Sequence, residues 1–360
     1  MHRQRLLTVA IALATGLSFA LPTVPAAAGD RAEGAYRQVN LVSDAPGMAP
    51  VIDPDLVNPW GISSSATSPM WVSDNNAGVS TLYNGAGQKV PLTVSIPKPD
   101  GTDGGTPTGT VFSGSADFHG DLFLFATEDG TIAGWKRSDG TRARIEVDRS
   151  AAGAGAVYKG LAIGSSARGN HLYAANFRFG TVEVFDTNFN LVSLQGSFSD
   201  ARIPAGFAPF NIQNLGGRLY VTYARQKPDK HDDLAGPGAG FVDVFNLDGH
   251  LLRRLIRRGA LNSPWGLAIA PANFGPASGD LLVGNFGDGR INAYDLHSGR
   301  FEGALETEAG APIQISGLWG IKFGNGGNGG ALNTLYFAAG IAEETHGLFG
   351  KIESVGEQDD

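Results

Sequence analysis

One short element recurs six times along the chain, and its spacing limits the fold more than any other feature. Asn58-Pro59-Trp60-Gly61-Ile62 returns as Ser263-Pro264-Trp265-Gly266-Leu267 and as Gly317-Leu318-Trp319-Gly320-Ile321. Weaker copies are Pro107-Thr108-Gly109-Thr110-Val111, Tyr158-Lys159-Gly160-Leu161 and Pro209-Phe210-Asn211-Ile212. Aligned on the tryptophan position, the copies stand at 60, 108, 159, 210, 265 and 319, spaced by 48, 51, 51, 55 and 54 residues. A near-constant period of this length marks a repeat architecture.

Two further elements follow in each unit. The first is an apolar pair and a small residue, as in Trp71-Val72-Ser73, Tyr173-Ala174-Ala175 and Leu282-Val283-Gly284. The second is a glycine, then apolar or β-branched alternation, then an aromatic, as in Gly130-Thr131-Ile132 to Trp135 and Gly180-Thr181-Val182 to Phe185. Period-two alternation in such residues reads as strand, and the glycine reads as a hairpin turn with φ > 0. A fourth strand follows, for example Leu92–Ile96 or Ala143–Val147. Four strands in six units predict an all-β, six-bladed β-propeller of four-stranded antiparallel blades. The sixth unit runs out of chain after three strands. Tyr36–Val42 supplies the missing one, so residues 36–42 are expected to pair with 347–353 and close the ring. A β-sandwich does not account for six similar units.

Composition agrees. Glycine occurs 52 times among 360 residues, which argues against a mainly helical chain because interior glycine disfavours helix. There is no cysteine, so disulfide frameworks and thiolate zinc sites are excluded.

The first 28 residues read as an export signal. Arg3 and Arg5 precede an apolar run over 6–21, and Ala26-Ala27-Ala28 suits cleavage after Ala28. A transmembrane anchor would need about 20 apolar residues. The expected organisation is therefore signal peptide 1–28, short tail 29–35, one propeller over 36–353 and an acidic tail 354–360, in a monomer outside the cytoplasm (periplasmic or extracellular). Removing the signal moves the net charge from −8 to −10. That sign disfavours nucleic acid and anionic membranes as partners, and no membrane insertion is expected.

Propeller topology sorts the polar residues by face. Loops between strands 2 and 3, and between blades, share the face where ligands usually bind near the channel. His231 and His346 fall there and are the candidate proton-transfer residues. His119, His171, His250 and His297 belong to the opposite face. The residue ending strand 2 is Asp74, Glu128, Asn176, Tyr223, Asn285 or Ala339 in successive units. Asp74, Glu128, Asn176 and Asn285 offer oxygens suited to Ca²⁺, with Asn75, Asp129 and Asp288 in support. The same residues before glycine also commonly cap turns. The long loop 225–239 carries Asp229, His231, Asp232 and Asp233, either as a solvated insertion or as a binding element. Trp60, Trp265 and Trp319 serve as repeat core or as stacking residues at the mouth, and Tyr223 is a further candidate ligand contact. No G-x-S-x-G, H-E-x-x-H or G-x-x-x-x-G-K motif is present.

Several segments together carry a resemblance. They are Asn40–Asp44 with Ala45-Pro46-Gly47, Leu56–Gly61, Phe125–Ile132, Pro204–Gln213, Asp229–Asp233 and Leu261–Ala268. Over roughly residues 36–352 the chain resembles an uncharacterised family of exported bacterial proteins, itself similar to NHL-type six-bladed propellers. The resemblance implies the fold and export. More distantly, the chain is similar to calcium-dependent lactonase and gluconolactonase propellers, which implies a metal on Asp74, Glu128, Asn176 and Asn285. Similarity in shape to the streptogramin lyase propeller implies Mg²⁺ with His231 or His346. Two functions are thus expected: a secreted module binding a small molecule, glycan or extracellular protein, or a metal-dependent hydrolase or lyase of lactone- or ester-like substrates.

Overall fold

The six copies of the tryptophan element form the inner strands of six blades, numbered here in chain order. These strands are Pro59–Ser63, Pro107–Phe112, Tyr158–Ser166, Phe207–Leu215, Pro264–Ile269 and Leu318–Phe323. Each neighbours the next around an axis, and the sixth returns to the first. The computed structural model describes residues 34–356. The expected signal peptide lies outside the described residues, as do 29–33 and 357–360.

Each blade is a four-stranded antiparallel sheet, and the sixth is built from both ends of the chain. Strand Ala35–Ser43 pairs with His346–Val355 as expected, in a register that sets Tyr36 opposite Ser354 and Val39 opposite Lys351. Val51–Ile52 adds a short parallel strand outside it, which the repeat pattern does not predict. Tyr36 fastens this closure to blade 5: its hydroxyl donates to Phe274 O at 2.9 Å and accepts from Ala277 N at 2.8 Å.

The hairpin glycines divide into two groups. Gly78, Gly130, Gly180 and Gly289 have φ between 69° and 82°, as a turn requires. Gly240 and Gly347 are not left-handed; a Cβ there would run into Pro264 and into the backbone of Leu56. His171 also differs from expectation. It is the third residue of strand Gly169–Asn176 and not part of the preceding connection.

The glycine after each tryptophan position has a different cause. A Cβ on Gly61 would lie 2.5 Å from Thr108 O of blade 2, and one on Gly266 would lie 2.7 Å from Trp319 O of blade 6. Gly109, Gly160 and Gly320 meet the inner strands of blades 3, 4 and 1 in the same way. Blade 4 carries Asn211 there, and its Nδ2 donates to Trp265 O of blade 5 at 2.7 Å. Every inner strand thus touches the next through a position without a side chain, or through one amide bond. Gly61→Ala and Gly266→Ala should each cost about 2 kcal/mol, because the added methyl meets fixed backbone. Gly236→Ala, whose Cβ meets nothing, should change stability by less than about 1 kcal/mol. Thermal or urea denaturation of the three variants checks the contrast.

Candidate functional site

Close inner strands leave a narrow channel, and the residues at the tryptophan position fill it. Trp60 stacks on Trp319 with ring centroids 3.4 Å apart, and Trp265 meets both edge-on at 6.1 and 5.8 Å. Phe210 joins them from blade 4. The indoles are anchored as well as packed: Trp265 Nε1 donates to Lys159 O at 3.0 Å, and Trp319 Nε1 to Asn58 Oδ1 at 3.3 Å. Both readings of the tryptophans hold in part. All three are core, while Trp60 and Trp319 also floor a cavity of about 790 Å³ at the expected mouth. Trp265 does not line that cavity.

Blade 3 places Lys159 where four other blades carry an aromatic. Its ammonium is buried, lies 5.0 Å from the Trp60 ring centroid, pairs with Glu128 and sits 3.5 Å from Asp232 Oδ1. Burial opposes its charge, but Glu128, Asp232 and Asp233 outweigh that and hold it above its ordinary value. Glu128 also accepts from Asn75 Nδ2 at 2.9 Å. His231 Nδ1 donates to Asp232 Oδ1 at 2.8 Å. That bond, together with Lys159 and Lys227, pulls the Asp232 carboxyl well below the usual range. Burial pushes Asp233 up.

The loop carrying these groups is not a free solvated insertion. Gln226 bridges to Asp233, and its side-chain amide donates to Phe177 O, so the segment folds back over the channel. Glu343 and Glu344 reach the same cavity from blade 6. Their turn holds Ala342, Glu343 and Glu344 at φ of 51°, 55° and 66°, three successive left-handed residues without a glycine. Such backbone costs of order 1 kcal/mol or more per residue and often accompanies function. Burial, with Glu128 adding, raises the Glu344 carboxyl.

The expected oxygen ring does not assemble. Only Glu128 of its four members lines the mouth. Asp74 Oδ2 accepts from Thr81 N and Oγ1 at 2.9 and 2.8 Å inside blade 1. Asn176 accepts from Val157 N and Phe179 N across its own turn. Asn285 donates to Ala260 O and Asp288 Oδ1. These three side chains bond to their own hairpins or, for Asn176 and Asn285, also to the segment entering their own blade, and so do not reach the axis. Asp229 caps the turn at His231 N. His346 bonds Asp44 Oδ2 at 2.7 Å and lines a separate cavity with Met48 and Ala45, so it does not join His231. A different cluster forms instead: Glu128, His231 and Asp232 each bring a ligand atom to within 4.8 Å of the others. Sequence reasoning missed Lys159 as a site residue. The signal was a lysine at a position that is aromatic in four of six repeats.

Tyr223 is also elsewhere. It is buried within blade 4 beside Asp243, with Asp200 and Arg254 close by. Burial, reinforced by Asp200, pushes the Asp243 carboxyl up to about 7 from an ordinary 3.8. The folded state therefore favours protonated Asp243. Its contribution to stability is complete below the ordinary value and is lost as pH rises toward about 7. Relative to Asp243→Asn, the wild type should lose stability across that window and then level off, measured by denaturation at a series of pH values.

Fold and site together define a six-bladed β-propeller with a plugged channel and a charged mouth. Solved propellers share this shape at low identity. A streptogramin B lyase superposes with TM-score 0.52 at 13% identity, covering 89% of this chain and 98% of that one. An auxiliary nutrient binding protein from Bacteroides ovatus gives 0.57 at 11%, covering 90% and 78%. No described family model matches. Within this class the chain belongs to one family with uncharacterized proteins of Acanthamoeba polyphaga mimivirus. One is 34% identical over 326 residues, 87% of this chain and 78% of the relative; another is 35% identical over 335 residues, 89% and 87%.

Lys159 and Glu128 should act as one unit. Lys159→Met should destabilise by roughly 3 kcal/mol because it leaves the partly buried Glu128 carboxylate without its cation. Adding Glu128→Gln should recover much of that loss, as a double-mutant cycle by denaturation would read.

Proposed function

We propose that the protein is a binding propeller that takes a small, positively charged polar ligand at its channel mouth. One observation carries this reading: five carboxylates, on Glu128, Asp232, Asp233, Glu343 and Glu344, line one cavity over an indole floor. Only Lys159 and Lys227 oppose them there. The surplus negative charge attracts a cation, and the aromatic floor favours an organic ammonium or guanidinium group. A volume of about 790 Å³ is within the usual range for small-molecule sites. The signal-like residues 1–28 support a place outside the cytoplasm.

A second reading rests on the Glu128, His231 and Asp232 cluster. There a divalent cation, Ca²⁺ or Mg²⁺, would polarise a carbonyl oxygen of a lactone- or ester-like substrate, and His231 would move the proton. Lys159 already contacts two of these ligands. Its ammonium supplies positive charge where the ion would sit, so the metal would have to displace it. This favours the binding reading.

Thermal-shift titration separates the two. Choline, arginine and spermidine are compared with Ca²⁺ and Mg²⁺, with and without chelator. An organic cation should raise Tm in chelator, and Asp232→Asn combined with Glu344→Gln should abolish the rise. A shift produced only by the metals, reversed by chelator and lost in His231→Ala, would overturn the binding reading in favour of the metal one.

A further inference from the structure

The tryptophan cluster divides the channel, and a second cavity of about 510 Å³ lies on its other side. The two cavities share no lining residue. The second is framed by the inner strands three residues beyond the tryptophan position. That tier reads Ser63, Val111, Ala162, Gln213, Ala268 and Lys322 around the six blades, and all six line the cavity.

We propose that this far vestibule is a binding site for an organic anion with one carboxylate and an apolar body, the carboxylate resting on Lys322. Lys322 is the only charged residue lining it. Each channel tier carries one lysine, and the two have opposite surroundings. Lys159 on the mouth side contacts Glu128 and Asp232. Lys322, among the described residues, has no carboxylate within 4.0 Å. Burial alone acts on its ammonium and lowers it from its ordinary value. A partly buried lysine without a carboxylate partner costs free energy that a bound carboxylate would return. The remaining wall is mixed: Leu161, Ile163, Leu267 and Ile269 alternate with polar groups of Ser63, Thr110, Gln213 and Asn214. The polar groups nearby are mostly engaged with protein: Ser63 and Thr110 hydroxyls bond each other at 3.1 Å, and Asn214 donates to Ile163 O at 2.9 Å. One positive charge on a wall with aliphatic stretches suits a singly charged amphiphile rather than a polyanion.

The test is calorimetric titration with hexanoate and 3-phenylpropionate, against hexanamide as the neutral counterpart. The acids should bind and the amide should not. Lys322→Met should weaken binding roughly tenfold or more, and Lys322→Arg should retain it. Gly236→Ala, outside both cavities, should leave the affinity unchanged. Thermal melts of the Lys322 variants confirm that they are folded, and loss of a lone buried charge should leave Lys322→Met at least as stable as the wild type. Equal binding by Lys322→Met, equal binding of amide and acid, or no binding of either acid would overturn the proposal.

Discussion

The contact on which the rest depends is the approach of neighbouring inner strands about the axis. At five of six blade junctions it requires a residue without a side chain, Gly61, Gly109, Gly160, Gly266 or Gly320. At the remaining one the Asn211 amide bridges the gap by a hydrogen bond. The channel that these strands leave is filled by three indoles and Phe210. The Trp60, Trp265 and Trp319 cluster is therefore a consequence of the glycines beside it in sequence. The cluster in turn creates two separate vestibules, each with its own lysine.

Charge distribution follows from the same geometry. A lysine in the tryptophan tier is tolerable only with carboxylates against it, because an isolated buried charge is expensive. Blade 2 supplies Glu128 and the folded-back loop of blade 4 supplies Asp232. The acidic mouth is thus partly a structural answer to Lys159. The carboxylates in excess of that answer, Glu343 and Glu344, ride on a left-handed turn that the backbone would not adopt for its own sake. Excess charge and local strain at one cavity are what set it apart from the rest of the surface.

Much of this was legible early. The blade count and the pairing of Tyr36–Val42 with the last blade follow from a linear pattern of period about 52, since each blade repeats the same local problem. The candidate ring of Asp74, Glu128, Asn176 and Asn285 was inferred from equivalence between repeats. It failed because equivalent backbone positions do not oblige equivalent side-chain partners. Asp74 finds Thr81 in its own hairpin, and Asn285 finds Asp288 in its hairpin and Ala260 in the segment entering its blade. Tyr223 turned inward to Asp243 for the same reason. His231 and His346 both belong to strand 2–3 connections, yet one meets Asp232 and the other meets Asp44 at the rim.

The sequence by itself determined the architecture: six blades, antiparallel sheets, closure by the two ends, and a glycine at five of the six tight junctions. Those properties are periodic, and periodicity is readable along one dimension. Only the tertiary structure decided which charges face one another. Lys159, Glu128 and Asp232 lie in three different blades, and Lys322 is isolated because none of the five neighbours in its tier carries a charge. Such pairings depend on ring closure and on loops that fold across it, so they are fixed by distances in space that no spacing in the chain encodes.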